Sequence, residues 1–207
     1  MTAAARERAE LVDTMREVGP DAPTLCGEWS VRDLAAHLVL RERRPDVAAG
    51  ILVSKLAGYT ARKQKELADR TEWGDLLDMV ASGPPLYSPL KLLDPLVNTT
   101  EMFIHHEDVR RARAGWQPRV LDDALASALR RQVRLAVRMS LGRAAVAVTL
   151  QEPGGATLAS IGNGPRCVIT GAPPELLLFL SGRDAAQIDF DADDETVAAV
   201  RSARRGL

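Results

Sequence analysis

The sequence predicts a mainly α protein with a C-terminal α+β part: a helical bundle over residues 1–117, whose last helix can extend to about 142, and a small α+β domain over residues 143–207. Three observations carry this expectation. Helix formers with apolar residues three and four apart recur through the first half, separated by short loops that bear glycine and proline. The alternation typical of strands begins only beyond residue 144. The chain of 207 residues, 46% hydrophobic and 27% charged, can bury a substantial core and has the composition of a folded globular protein.

Residues 2–18 form the first helix, with Leu11, Val12, Met15 and Val18 as its apolar positions and a stop at Gly19-Pro20. The loop of residues 21–29 leads into a helix that begins at Ser30. Ser30 can cap it, Asp33 can return the bond in a variant of the capping box, and Trp29 and Leu34 occupy the hydrophobic-staple positions. Pro45 interrupts this helix near its end, and residues 46–68 resume helical composition with a break around Gly58. Thr71 or Glu72 opens a short helix through Val80, closed by Ser82-Gly-Pro-Pro85. After a proline-bearing loop, the next helix starts between Asp94 and Asn98 and runs to Arg113, where Gly115 stops it.

Residues 122–141 read as an arginine-rich helix. Strands are expected over 145–150, 157–161, 166–170 and 186–190, with a turn at Pro153-Gly-Gly155. Pro173 opens a helix that ends at Gly182, since proline suits a first helical turn, and residues 195–205 form the last helix.

The net charge of -1 makes no field that would gather nucleic acid or an anionic membrane. The runs Arg41-Glu-Arg43-Arg44 and Arg110-Arg111-Ala-Arg113 read as solvated helix ends that favour the negative end of a helix dipole. Cys26 and Cys167 are too few and too distant for a disulfide framework, so a reducing interior is the simplest compartment. The first residues lack an apolar signal core, and no apolar run approaches the roughly 20 residues that span a bilayer. The expectation is a cytoplasmic monomer or homodimer whose partners are small molecules.

All three histidines lie in two segments, Ser30-Val-Arg-Asp33-Leu-Ala-Ala-His37 and Glu101-Met-Phe-Ile-His105-His106-Glu-Asp108. On a helix, Glu101 and His105 share one face a turn apart, because side chains at i and i+4 stack. His37 could complete a three-ligand set, with coordination positions left open for water or substrate. The competing reading is a surface Glu–His pair without a metal. Asp108 and Asp33 could each accept the second ring proton of a neighbouring histidine as outer carboxylates, although for Asp33 the capping role competes. His106 points about 100° from His105, toward packing or solvent. Cys26 reads as a buried cysteine, with a redox thiol or an extra ligand as alternatives.

The segment Leu25-Cys-Gly-Glu-Trp-Ser-Val-Arg-Asp-Leu-Ala-Ala-His37, together with Asn98-Thr-Thr-Glu-Met-Phe-Ile-His105-His-Glu-Asp108, resembles the mycothiol-dependent maleylpyruvate isomerase family, within the DinB-like superfamily of metal-binding four-helix bundles. The order of elements, bundle first and α+β domain second, is similar along nearly the whole chain. An arginine-heavy, lysine-poor composition also suits a high-GC actinobacterium of the kind that makes mycothiol. The resemblance implies a divalent metal held by His37, Glu101 and His105, zinc first and nickel or another ion second. It further implies that the metal activates the thiol of mycothiol, as a cosubstrate, for isomerisation or S-transfer on a small electrophile. Family members carry Gly-Trp after the second ligand histidine, where this chain has His106-Glu107, which alters a neighbouring pocket wall and leaves the substrate unassigned. Two rival functions remain at this point: a non-catalytic metal- or ligand-binding stress module, and a metal-dependent hydrolase with Glu107 or Asp108 as base.

Overall fold

A computed structural model describes residues 2–44, 57–85, 88 and 95–203. The chain divides into two compact units, Met1–Gln117 and Pro118–Leu207. Eight helices and a small four-stranded mixed sheet lie among the described residues, with every strand in the C-terminal unit. The fold is mainly α with a C-terminal α+β part.

The first unit contains α1 (Ala3–Val18), α2 (Val31–Arg43), α3 (Ala57–Arg70), α4 (Trp73–Ser82) and α5 (Pro95–Arg110). Thr2 caps α1 by accepting from Ala5 N at 3.2 Å. Ser30 caps α2 through a reciprocal box: its hydroxyl accepts from Asp33 N at 3.2 Å while Asp33 Oδ2 accepts from Ser30 N at 3.0 Å. The end of α3 is closed from outside, since Arg32 Nη1 donates to Ala68 O at 3.1 Å and Thr71 O at 3.0 Å. Such bonds satisfy carbonyls that a helix end leaves without an internal donor.

Apolar faces then decide the packing. α1 lies along α5 and α4, and α2 lies against α3 and α4. Leu11, Met15, Leu34, Leu38, Leu76, Val80 and Met102 are buried in one continuous core, with Trp29 and Trp73 packed at its edge. Each large apolar side chain withdrawn from water stabilises the bundle by about 1.5–3 kcal/mol.

The second unit contains α6 (Asp123–Leu141), β1 (Ala147–Gln151), β2 (Thr157–Ile161), β3 (Arg166–Gly171), α7 (Pro173–Leu180), β4 (Ile188–Asp191) and α8 (Asp194–Ala203). The strand order is β2-β1-β3-β4. β1 pairs antiparallel with β2 and parallel with β3, and β3 pairs antiparallel with β4. α6 packs on α7 and β2. Gly162 is required where it stands: its φ is +79°, and a Cβ there would sit 2.1 Å from Val146 O.

Several boundaries differ from the sequence expectation. α5 ends at Arg110 rather than Arg113, and Gly115, with φ +77°, closes the turn beyond it. β1 begins at Ala147, where Ala147 N donates to Pro165 O, rather than at residue 145. Gly58 stands in the first turn of α3, and the expected helical content of residues 46–56 lies outside the described residues.

The two arginine runs are not solvated helix ends. Glu42 is buried and pairs with Arg8, which also donates to Val80 O at 2.8 Å. Arg41 reaches Glu101 on α5, Arg43 donates to Met79 O, and of the four residues only Arg44 is exposed. In the second run, Arg110 and Arg111 both turn back to the fully buried Glu107, and the Arg111 guanidinium lies 4.3 Å over the Trp116 ring. Arg44 and Arg113 remain exposed, and the long stems of the other arginines carry their guanidinium groups to carboxylates or carbonyls instead of into water.

Candidate metal centre

The site is built from two helices and one loop. His37 sits about two turns after the Ser30 cap, so the capping box fixes the phase at which its ring leaves α2. Glu101, His105 and Asp108 follow one another at i, i+4 and i+7 on α5. Cys26 comes from the loop before α2. Gly27, at φ +65°, allows the turn in which Trp29 N donates to Cys26 O, and Leu25 N anchors the loop by donating to Asp108 O at 3.0 Å.

These elements bring His37, Glu101 and His105 together. One donor atom from each lies within 4.8 Å of the other two. The His37 and His105 rings are 5.5 Å apart between centroids and meet edge to face, and Glu101 Oε1 is 3.3 Å from His105 Nε2. On the other side of the same imidazole, Asp108 Oδ2 lies 2.9 Å from His105 Nδ1. That oxygen also accepts from Cys26 Sγ at 3.0 Å. The Trp29 ring stands 5.0 Å from the His37 ring and restricts its rotation.

The electrostatics suit a cation. Burial, the positive charges of His105 and Arg41, and an opposing pull from Glu101 and Gln64 leave the His37 pKa at about 4. Its imidazole is therefore neutral at pH 7 and keeps a lone pair. Burial alone would raise the Glu101 carboxyl, but its hydrogen bond and charge interaction with His105, aided by Arg41 and His37, hold it down at about 2. For His105, burial opposes the charged form, and hydrogen bonds with Asp108, Cys26 and Glu101 outweigh it, so its pKa lies well above 6.5. Two imidazole nitrogens and one carboxylate oxygen, with a carboxylate behind one ring, are the donor chemistry of a borderline divalent ion such as zinc. The residues present fit such an ion.

The other candidates divide. Asp33 Oδ2 accepts from Ser30 N and Ser30 Oγ, which is the capping alternative, while the side chain that hydrogen-bonds with His37 is Gln64. His106 is packed: Nδ1 faces Glu7 Oε1 at 2.9 Å and Nε2 faces Thr14 Oγ1 at 2.9 Å. Glu107 is held by Arg110 and Arg111 at 2.9 and 2.5 Å, away from the histidine cluster. The His106-Glu107 pair that distinguishes this chain in sequence is thus taken up in bundle packing. Sequence reasoning gave low weight to Cys26 and none to Arg41, whose Nε lies 3.2 Å from Glu101 Oε1. Arg41 stands four residues after His37, a same-face spacing that could have revealed it.

No family model matches the sequence, and no curated protein matches it. Among solved structures, a mutant of a mycothiol-dependent maleylpyruvate isomerase is similar, with a TM-score of 0.58 at 11% identity over 91% of this chain and 90% of that one. A second structure of a mycothiol-dependent maleylpyruvate isomerase gives 0.54 at 12% identity over the same shares. The likeness is one of fold. At these identities it extends to the order of bundle and sheet along the chain and not to the chemistry. No helix among the described residues is long and apolar enough to cross a membrane.

Proposed function

We propose that this chain is a metal- and thiol-dependent transferase or isomerase, in which His37, Glu101 and His105 hold one divalent cation of the zinc type and the small thiol is mycothiol. The observation that carries the reading is the convergence of those three donors from two helices, in a chain that shares the isomerase fold. When bound, such a cation supplies positive charge that favours the thiolate, the nucleophilic form of a thiol, at neutral pH.

The chain's own residues have definable parts. Asp108 accepts from His105 Nδ1, which orients the ring so that Nε2 faces Glu101 and His37, where a bound cation would displace the Nε2 proton. His37 stays neutral because a proton on it would be buried beside His105 and Arg41. Arg41 places a guanidinium against Glu101, and its Nη1 is buried without a hydrogen-bond partner among the described residues, a disposition that suits an anionic reactant. In this reading the thiolate adds to an electrophilic carbon. When that carbon belongs to an activated double bond, addition leaves the electron pair on the adjacent carbon. Rotation about the new single bond and expulsion of the thiolate give an isomer, whereas protonation of that carbon gives the S-transfer product.

Elemental analysis of the purified chain beside His37→Ala and Glu101→Ala tests the metal. Each folded variant is expected to hold about one zinc-type ion per chain fewer than the native protein. The loaded protein should then consume a small electrophile only when mycothiol is added. Turnover without thiol would replace this reading with a hydrolase, and ligand binding without turnover would replace it with a binding module.

A further inference from the structure

We propose that Glu7, Glu10 and His106 form a second divalent-cation site, separate from the His37–Glu101–His105 cluster. Glu7 and Glu10 lie three residues apart on α1, so they share a face, and His106 approaches from α5, against which α1 packs. One donor atom from each lies within 4.8 Å of the other two. His106 and Glu7 are buried at 3% and 1% exposure, whereas Glu10 is exposed.

The arrangement has the parts a built site needs. In the metal-free chain His106 Nδ1 donates to Glu7 Oε1 at 2.9 Å, the proton a bound cation would displace, and Thr14 Oγ1, 2.9 Å from Nε2, can accept the proton on the other ring nitrogen. This is the outer hydrogen bond that orients a ligating histidine. A zinc-type ion sits about 2.0–2.2 Å from nitrogen and oxygen donors, so binding requires the His106–Glu7 contact to open and Glu10 to swing in. Glu10 is exposed, which opens the site to solvent. One imidazole nitrogen and two carboxylates select a borderline divalent ion such as zinc, cobalt or manganese over a soft monovalent one.

A buried Glu7–His106 ion pair with no metal function is the rival, and stoichiometry separates the two. Metal-stripped full-length protein is titrated with Co(II), the visible spectrum and dialysed metal content being read for the native chain, Glu10→Gln, His106→Gln and His37→Ala. Two equivalents in the native chain are expected, one weakened about tenfold or more by Glu10→Gln and His106→Gln, the other lost in His37→Ala. An equivalent that survives His37→Ala and is lost with Glu10→Gln supports the second site even if the first proves empty. A single equivalent abolished by His37→Ala, or a second equivalent whose affinity Glu10→Gln leaves unchanged, overturns it. Because Glu10 is exposed, its variant keeps the test independent of any folding defect at His106.

Discussion

His105 Nδ1 lies 2.9 Å from Asp108 Oδ2, and that oxygen is fully buried with Cys26 Sγ at 3.0 Å on its other side. The carboxylate accepts the Nδ1 proton's hydrogen bond and holds the ring in one orientation. Replacing Asp108 with Asn keeps the shape but removes the charge that supports the ring proton. Metal affinity, measured by competition with a chelator, should fall about 10–100-fold in Asp108→Asn while the far-ultraviolet circular dichroism stays native. Unchanged affinity would mean that Asp108 serves packing alone.

Asp33 has a different part, although it lies four residues before His37. Its carboxylate closes the cap of α2. Asp33→Ala and Ser30→Ala should each cost about 1 kcal/mol in urea unfolding, with metal affinity per folded molecule unaltered. A large affinity loss in Asp33→Ala alone would revive a direct role at His37.

Glu107 is the buried partner of both Arg110 and Arg111, at 2.9 and 2.5 Å. Removal of one member of a buried pair leaves charge without compensation, which costs about 3–5 kcal/mol. Glu107→Ala should therefore lower the thermal midpoint by many degrees. A surface-like change below about 1 kcal/mol would contradict the geometry.

The metal-free protein should lose stability on acidification in two stages. His37 has a folded pKa of about 4, below the 6.5 of the unfolded chain, so its contribution is present above pH 6.5 and is lost as the pH falls toward 4. That stage is worth about 3 kcal/mol at full extent. Glu101, at about 2 against 4.5, follows between pH 4.5 and 2. His105 runs the opposite way: its raised pKa stabilises below pH 6.5, and that stability is lost as the pH rises through the folded value. Urea titrations at successive pH values check this, with His37→Gln removing the first stage. A first stage of the same size in that variant would refute the assignment.

Local structure was legible because its causes are local. The Ser30–Asp33 box, the stop at Gly19 and the proline start of α7 depend on residues within one turn, and each shows in the helices as expected. The i, i+4 relation of Glu101 and His105 follows from the helical period alone. The alternating segment near residue 145 became a strand with its start shifted, because pairing with the segment around Pro165 decides where the ladder begins.

By itself, the sequence determined the helices, the order of bundle and sheet, and the one-face pairing of Glu101 with His105. Only the tertiary structure decided the convergences. Cys26 meets His105 across 79 positions and His106 meets Glu7 across 99. Arg41 leaves an apparent charged tail to sit on Glu101, and Asp33 stays with its cap. The physical reason is that caps and periodicity act over a few residues, whereas contacts between helices follow from how apolar faces such as Leu11, Leu34 and Met102 bury one another. That burial sets which polar side chains are carried inward together, and no local spacing encodes it.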